Sequence, residues 1–309
     1  MKNIKIRSFP DKNYKALFIR NTSMTIRLLH NTDSGIPMSE LDFPEFYDIK
    51  LTGKCGGGCP WCYMSATLDN DHYEVIPNLL RLFEPMSQNQ RPFQIAYGGG
   101  EPTLHPDFEE ILRTTKNLDI VPNFTTNGDQ SGITTKVLQA IEDCSDGVAI
   151  SCHPHLEKQW KHALQIYAEL ANTKMNLHII ISTPESVDYF IKVYEFYKGL
   201  VDYFVLLKFS PIGRAATMGI QKEVEQQATA KLFSFLKECK SIPDVAFGAH
   251  YFPDLASPEN ASIGASIYQP DMFSKYIDMK DMSIYSNSFE TTPIGNVFEF
   301  FKNKGIYYE

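Results

Sequence analysis

The sequence predicts an α/β protein whose main part is a partial, TIM-like (β/α)6 barrel, and three observations lead to this fold class. Between Phe46 and about Ser210, short apolar runs alternate with amphipathic helical stretches, which is the pattern of repeated βα units on a parallel sheet. The runs are largely apolar, as expected of strands that are buried on both faces. Connections between parallel strands are nearly always right-handed, so six successive units should curl into an open barrel with its chemistry at the carboxyl ends of the strands.

Each of the six strand candidates is followed by a stretch with helical periodicity. After the fourth candidate, for example, Trp160, Ala163, Leu164 and Tyr167 recur at the spacing of a helix that packs on a sheet. The predicted strands are FYDIKLT from Phe46, FQIAY from Phe93, VPNFTT from Val121, GVAISC from Gly147, NLHIIIS from Asn176 and YFVLLKF from Tyr203.

Two smaller segments flank the barrel. Residues 1–45 contain KALFIR and MTIRLL, two alternating segments separated by the turn-prone Asn21-Thr22-Ser23, which predict a β-hairpin. Residues 222–240 predict a helix, and YIDMK and SIYSN predict a second hairpin around Lys280-Asp281. We therefore expect a small N-terminal β extension over 1–45, the barrel over 46–221 and a small α+β tail over 222–309.

Length and composition limit the classes of function. The 309 residues are 43% apolar and 21% charged, which is typical of a soluble globular protein with a sizeable core. No apolar stretch approaches the roughly 18 residues of a membrane span, and the polar start lacks a secretory signal. We expect a cytoplasmic protein with no membrane partner. The net charge of -8 disfavours bulk binding of nucleic acid.

Three cysteines, Cys55, Cys59 and Cys62, stand close together after the first predicted strand, in CGGGCPWC. This clustering indicates a ligand set in a reducing compartment rather than a disulfide framework. Thiolates are the usual ligands of iron-sulfur clusters, and three of them leave one iron of a four-iron cluster open. A structural zinc site is the alternative, but zinc normally takes four ligands in two close pairs, and no second pair is present. The third interpretation is that the three cysteines are buried and bind no metal.

A run of glycines ends the second predicted strand. Gly98, Gly99 and Gly100 expose their backbone to a ligand, and the next residue, Glu101, adds an acceptor for an ammonium group. Taken alone, the run equally predicts a tight βα turn.

Together, the cysteine loop and the glycine strip resemble the radical S-adenosylmethionine (radical SAM) superfamily. CGGGCPWC fits the family's CxxxCxΦC signature with Trp61 as the aromatic residue, and YGGGEP resembles its GGE motif on the second strand. The resemblance implies that the three cysteines hold a [4Fe-4S] cluster whose open iron chelates S-adenosylmethionine (SAM). It also implies that Trp61 helps to position the adenine and that the glycine strip with Glu101 receives the methionine amino group.

Polar residues at later strand ends are further candidates. Asn127 and Ser151 stand where family members place polar groups against the ribose and carboxylate of SAM, although Asn127 also suits a turn. His153, Lys208 and Arg214 are candidates to face substrate, with a solvated loop or surface role as the alternative for each.

The resemblance implies a mechanism as well. The reduced cluster, supplied by a low-potential donor such as a flavodoxin or ferredoxin, splits SAM into methionine and a 5′-deoxyadenosyl radical, which abstracts hydrogen from a substrate. The protein then has to keep the reacting space dry, and we expect apolar barrel walls to do so.

The region after the barrel resembles the SPASM or twitch-type tail of some family members. SPIGRA from Ser210 and the segment YIDMKDMSIYSNSF carry this likeness, but no cysteine follows Cys239, so we expect no auxiliary cluster. The other cysteines, Cys144, Cys152 and Cys239, are dispersed and are expected to pack as small apolar residues. The whole pattern also resembles phage- and bacteria-encoded radical SAM proteins.

These features favour hydrogen abstraction from a peptide, protein or other sizeable substrate. Modification of a nucleotide or nucleic-acid base is the alternative within the family, although the sequence has no basic stripe to support it. A protein that binds SAM or a cluster without catalysis, and a zinc-binding protein, are the alternatives outside it.

Overall fold

A computed structural model describes residues 4–20, 22–33, 35–239, 243–263 and 271–308. Asn21, in the predicted N-terminal turn, lies outside the described residues. No helix within them is both long enough and apolar enough to cross a membrane.

The N-terminal extension is a three-stranded antiparallel sheet in the described part of the chain, one strand more than the predicted hairpin. Its strands are β1 (Ile4–Phe9), β2 (Tyr14–Ile19) and β3 (Met24–Leu29), paired in that order. The inner face packs on the barrel through Tyr14, Ala16, Phe18, Phe93, Val121 and Phe273. Arg7 of β1 is buried and donates hydrogen bonds to the carbonyls of Phe43 and Pro44. The outer face exposes Ile4, Ile6, Met24, Ile26 and Leu28.

Six parallel strands form the barrel in sequence order, as predicted, each hydrogen-bonded to the next. They are β4 (Phe46–Thr52), β5 (Gln94–Gly99), β6 (Val121–Thr126), β7 (Gly147–Ser151), β8 (Lys174–Ile181) and β9 (Tyr203–Lys208). The helices that follow them are α1 (Ile76–Phe83), α2 (Phe108–Asn117), α3 (Thr135–Cys144), α4 (Glu157–Tyr167), α5 (Pro184–Tyr197) and α6 (Lys222–Glu238).

The tail adds strands to both edges of the barrel sheet, which the sequence did not predict. Its elements are β10 (Val245–Phe247), α7 (Phe252–Leu255), β11 (Ser274–Asp278), β12 (Ser283–Tyr285), β13 (Gly295–Asn296) and α8 (Val297–Lys302). β10 pairs in parallel with β9, and β11 pairs in parallel with β4. The predicted second hairpin is β11 and β12. Across the described residues the order runs β10-β9-β8-β7-β6-β5-β4-β11-β12-β13 without closing, so the barrel is open. The domain boundaries at 45 and 221 stay predictions.

Alternation along the barrel strands separates two environments. On β4, Tyr47, Ile49 and Leu51 are buried in the apolar core between sheet and helices, where the Tyr47 ring lies 5.8 Å from that of Phe83. The opposite, inward face of the strands borders a cavity of about 410 Å³. Its lining residues are mostly polar and include Asp48, Gln94, Asn123, Thr125, Asn176 and His178. The expectation of apolar barrel walls was therefore wrong for this part of the barrel.

Candidate functional site

The three clustered cysteines lie on the loop that leaves the carboxyl end of β4, and all three thiols are partly exposed. A side chain built on Gly57 would place its Cβ 3.4 Å from the sulfur of Cys55 and 3.5 Å from that of Cys59, so both sulfurs border one small space. Within the described residues, no three His, Cys, Asp or Glu side chains are grouped as ligands of a single metal ion.

Nitrogen donors point at two of the three sulfurs. The Gly57 N–H and the Asn127 side-chain amide each donate to Cys55 Sγ at 3.3 Å, and the Ala66 N–H donates to Cys62 Sγ at 3.4 Å. Donors of this kind stabilise thiolates and tune iron-sulfur clusters. This loop therefore favours the charged form of its cysteines where a metal is bound.

Burial opposes that charge while the loop holds no cation. Burial, and after it the neighbouring Cys55 and Cys62, raise the pKa of Cys59 to about 12. Burial also raises the pKa of Cys55, against the hydrogen bonds from Gly57 and Asn127. Thiolates on this loop thus require positive charge beside them, as a bound metal centre provides.

The three glycines of the strip have two different functions. A Cβ on Gly98 would meet no atom within 4 Å, so this position borders open space. Gly99 has φ +108°, and its Cβ would lie 2.6 Å from the Thr52 carbonyl oxygen; a Cβ on Gly100 would overlap the Lys54 carbonyl oxygen. Gly99 and Gly100 therefore let β5 approach the cysteine loop, while only Gly98 leaves room for a ligand.

Glu101 joins two strand ends. Its buried carboxylate accepts hydrogen bonds from the Thr103 hydroxyl at 2.7 Å and from the Asn127 N–H at 2.7 Å. Burial raises the pKa of Glu101 to about 7 in spite of these donors. The structure thus gives Glu101 a bracing role between β5 and β6, and its contact with a methionine amino group stays a prediction.

Asn127 is oriented by neighbours that the sequence did not reveal. Its Oδ1 accepts hydrogen bonds from Gln159 Nε2 at 2.8 Å and from the Asp129 N–H at 2.9 Å, which leaves Nδ2 directed at Cys55. The side chain thus reaches the cysteine loop. Its predicted contact with SAM stays untested.

Two histidines pack on the aromatic residue of the cysteine loop. The rings of His153 and His155 lie 5.2 Å and 5.1 Å from that of Trp61, and His155 Nε2 is 3.1 Å from the Gly57 carbonyl oxygen. Burial lowers the pKa of His153 to about 3, so this ring is neutral at physiological pH. The sequence allowed His155, like His153, either a substrate-facing or a solvated loop role, and its contact with Gly57 is a feature of the folded loop. Ser151 ends β7 beside His178 of β8.

Both predicted cations have partners in the structure. Lys208 forms an ion pair with Asp254 at 2.8 Å. Arg214 braces the cysteine loop, because its Nη2 donates to the Ala66 carbonyl at 2.6 Å and its N–H donates to the Cys62 carbonyl. A substrate-facing role for either residue stays a prediction.

A segment of the tail contacts the cysteine loop. The ring of Phe289 lies 4.7 Å from that of Tyr63, the residue after Cys62, and 4.3 Å from that of His250. The sequence suggested the N-terminal extension or the tail as a cover for the barrel, and these ring contacts bring the tail to the cysteine loop.

Part of the chain is similar to a known protein family. Residues 49–153 match the model of the radical SAM superfamily. The mycofactocin maturase MftC of Mycobacterium ulcerans (strain Agy99) is 27% identical over 125 residues, which are 40% of this chain and 32% of that protein. The 7,8-dihydro-6-hydroxymethylpterin dimethyltransferase of Methanocaldococcus jannaschii is 25% identical over 157 residues, which are 45% of this chain and 30% of that protein. The chain spans about a third of the length of these curated relatives.

Solved structures share the fold over nearly the whole chain. Streptococcus suis SuiB bound to precursor peptide SuiA superposes with a TM-score of 0.71 at 13% identity, covering 99% of this chain and 88% of that chain. The structure of SuiB bound to S-adenosylmethionine gives a TM-score of 0.68 at 14% identity with the same coverage. At this identity the likeness shows the fold, which is the predicted α/β barrel.

Asp48→Asn is expected to stabilise the chain more at pH 8 than at pH 5. Burial raises the pKa of Asp48 from 3.8 to about 7, so the folded chain keeps this proton where the unfolded chain has already released it. The carboxyl therefore destabilises the native state increasingly as the pH rises from 3.8 through about 7. At roughly 1.4 kcal/mol per pKa unit, we expect the substitution to raise the free energy of unfolding by about 2–4 kcal/mol at pH 8.

Urea unfolding of the cluster-free chain at both pH values measures this difference. Asp188→Asn, which alters an exposed carboxylate paired with Lys231 on the outside, is the control and should change the free energy by less than about 1 kcal/mol. An equal stabilisation by Asp48→Asn at pH 5 and pH 8 would contradict the raised pKa.

Proposed function

We propose that the chain, whose residues 49–153 match the model of the radical SAM superfamily, is an enzyme that holds a [4Fe-4S] cluster on Cys55, Cys59 and Cys62 and cleaves SAM reductively. When bound, the cluster and SAM supply a one-electron cleavage that yields a 5′-deoxyadenosyl radical able to abstract hydrogen from a substrate. The observation that carries the proposal is the cysteine loop, whose N–H donors point at cysteine sulfurs.

The donor set on this loop fits an iron-sulfur cluster. Three cysteines supply the soft thiolate ligands that such clusters take, and two of their sulfurs, those of Cys55 and Cys59, lie on either side of Gly57. Burial raises the pKa of Cys59, and the positive charge of Arg214 offsets only a part of this effect. These residues would hold the cluster and leave one of its irons without a protein ligand.

Residues around the loop offer groups for SAM. The Trp61 indole N–H is buried and has no hydrogen-bond partner in the described structure, so a bound acceptor would satisfy it. Gly98 borders open space, where the backbone of β5 is accessible to the methionine end. We propose that Trp61 and Gly98 contact SAM, together with Ser151 and Glu101. Asn127 would mainly orient Cys55.

The tail would help to exclude water from the reacting groups. Phe289 packs between Tyr63 and His250, beside the cysteine loop. These aromatic rings would thus help to keep water away from the cysteine loop. We expect a low-potential donor such as a flavodoxin or ferredoxin to deliver the electron, in the cytoplasm.

A peptide or protein is the substrate class that we propose. The fold of SuiB, whose structure includes its precursor peptide, extends over 99% of this chain, and the open barrel leaves a route for a large substrate. This support is a likeness of fold. Hydrogen abstraction from such a substrate needs no basic surface, in agreement with the net charge of -8.

Anaerobic reconstitution with iron and sulfide, reduction by dithionite and addition of SAM should yield 5′-deoxyadenosine. The triple variant Cys55→Ala, Cys59→Ala, Cys62→Ala should lose both the iron and the product, because it removes all three proposed ligands of the cluster. Chromatography detects the nucleoside, and analysis of iron and zinc content shows which metal the cysteine loop binds.

Cys239→Ala is the matched control, since this cysteine lies at the end of α6, away from the loop. It should retain the iron and the product. Zinc in the cysteine loop, or a fully loaded cluster that yields no 5′-deoxyadenosine with or without added peptide, would contradict the proposal.

Gly98→Ala should lower the affinity for SAM without unfolding the chain. Its Cβ meets no protein atom within 4 Å, so the added methyl group occupies the space proposed for the cofactor. We expect the dissociation constant for SAM to rise at least tenfold, which corresponds to a loss of about 1.4 kcal/mol in binding free energy. Calorimetric titration of the reconstituted chain with SAM measures it.

Gly56→Ala is the control within the cysteine loop, because its Cβ makes only ordinary contacts at 3.6 Å or more. This variant should bind SAM as the parent does. If Gly98→Ala also binds SAM normally, the space beside Gly98 is not the cofactor site.

A further inference from the structure

A carboxylate stands inside the barrel with uncharged neighbours on both sides. Asp48 is the middle inward-facing residue of β4, and its partners across the ladder are Ala96 on β5 and Tyr276 on β11. It lines the cavity of about 410 Å³. The cavity and the strand register therefore place a potential negative charge at a fixed point of the interior.

No positive charge of the described protein compensates Asp48. The side chain makes no hydrogen bond or ion pair in the described residues, and burial is the single cause of its raised pKa. Lys50, the next inward residue of β4, is already paired with Asp278 at 2.8 Å. His178 lines the same cavity, but burial lowers its pKa to about 4, so it is neutral at physiological pH.

The remaining charged groups lie at the amino-terminal end of the cavity. Lys174 and Asp146 line it there, and the Lys174 N–H donates to the Asp146 carbonyl. The Lys174 ammonium lies 5.5 Å from the centre of the Tyr203 ring. Neither group contributes to the pKa of Asp48.

A second acceptor on the cavity wall also lacks a donor. The Oδ1 atom of Asn176 on β8 is buried and has no hydrogen-bond partner in the described structure, and Asn176 lines the same cavity. A buried acceptor without a donor, such as Asn176 Oδ1, is costly and is normally satisfied by a protein group, water or ligand. Two acceptors, one of them a carboxylate, match a ligand that carries several N–H donors and a positive charge.

The position of Asp48 suits a group that belongs to the substrate. Gly98 is the inward residue that follows Ala96 on β5, and it is in register with Lys50. At about 3.3 Å of rise per residue, Asp48 lies about 7 Å below the level of Gly98, towards the cavity. That distance is about the reach of an extended lysine or arginine side chain from its backbone.

We propose that the barrel cavity binds a cationic nitrogen group of the substrate, the ammonium of a lysine or the guanidinium of an arginine, with Asp48 as its counter-ion and Asn176 as a second acceptor. This inference rests on the proposed function, because it names the class of residue that the peptide substrate carries near its reacting carbon. The bound cation would anchor the substrate below the cofactor edge. It would also replace the solvation that the carboxylate loses on burial.

Binding of single-residue probes tests the proposal with the full-length, reconstituted chain in the absence of SAM and reductant. N-acetyl-lysine methylamide and N-acetyl-arginine methylamide supply the two cations, and N-acetyl-norleucine methylamide is the neutral probe of similar length. Saturation-transfer NMR titrations at pH 8 should show saturable binding of at least one cation and at least tenfold weaker binding of norleucine. Which cation binds more tightly distinguishes lysine from arginine as the source.

Asp48→Asn keeps the side-chain shape and removes the charge, so it should weaken binding of the cation at least tenfold and leave the norleucine probe unchanged. Asn176→Ala should weaken binding of the cationic probe less than Asp48→Asn does, and Asp188→Asn should have no effect on binding. Cation binding that Asp48→Asn leaves intact, or the absence of saturable binding by both cations, overturns the proposal. The readout needs no cleavage of SAM, so Asp48-dependent binding in a chain that makes no 5′-deoxyadenosine would support the cation site while the proposed function fails.

Discussion

The close approach of two strand ends is the constraint on which the candidate site depends. The Gly100 N–H donates to the Thr52 carbonyl at 2.7 Å, and the Glu101 N–H donates to the Lys54 carbonyl at 2.7 Å. These bonds form only because Gly99 and Gly100 have no side chains at positions where a Cβ would collide with that backbone. The cysteine loop starts directly after this contact, so the glycines that resemble a cofactor motif are first of all its support.

Buried polar groups distinguish the two ends of the barrel interior. At the carboxyl end, Glu101 receives hydrogen bonds from its neighbours and braces the strands. Deeper inside, Asp48 and Asn176 line a cavity and keep acceptors without donors. Polar groups that have hydrogen-bond partners, such as Glu101, stabilise the shape of a site. Polar groups that lack them, such as Asn176 Oδ1, are typical of places where a ligand binds.

Local patterns predicted the barrel, the cysteine loop and the glycine strip. The run FYDIKLT coincides with β4, Phe46–Thr52, because alternation and turn signals bound it within the sequence itself. The tail strands were not placed, since short strands such as β10 and β11 are defined by distant partners. Polar inward-facing residues such as Asp48 occur one at a time within apolar runs, and for this reason the sequence predicted apolar barrel walls. Contacts such as His155 with Gly57 depend on folding that no local pattern encodes.

The central claim is that Cys55, Cys59 and Cys62 hold a four-iron cluster with one iron open to SAM. Electron paramagnetic resonance of the reconstituted, dithionite-reduced chain, recorded before and after addition of SAM, tests it most directly. The account predicts the signal of a single reduced [4Fe-4S] cluster that changes when SAM binds and that is lost when the three cysteines are replaced by alanine. A cluster signal that SAM leaves unchanged, or one that survives in the triple alanine variant, would contradict the account.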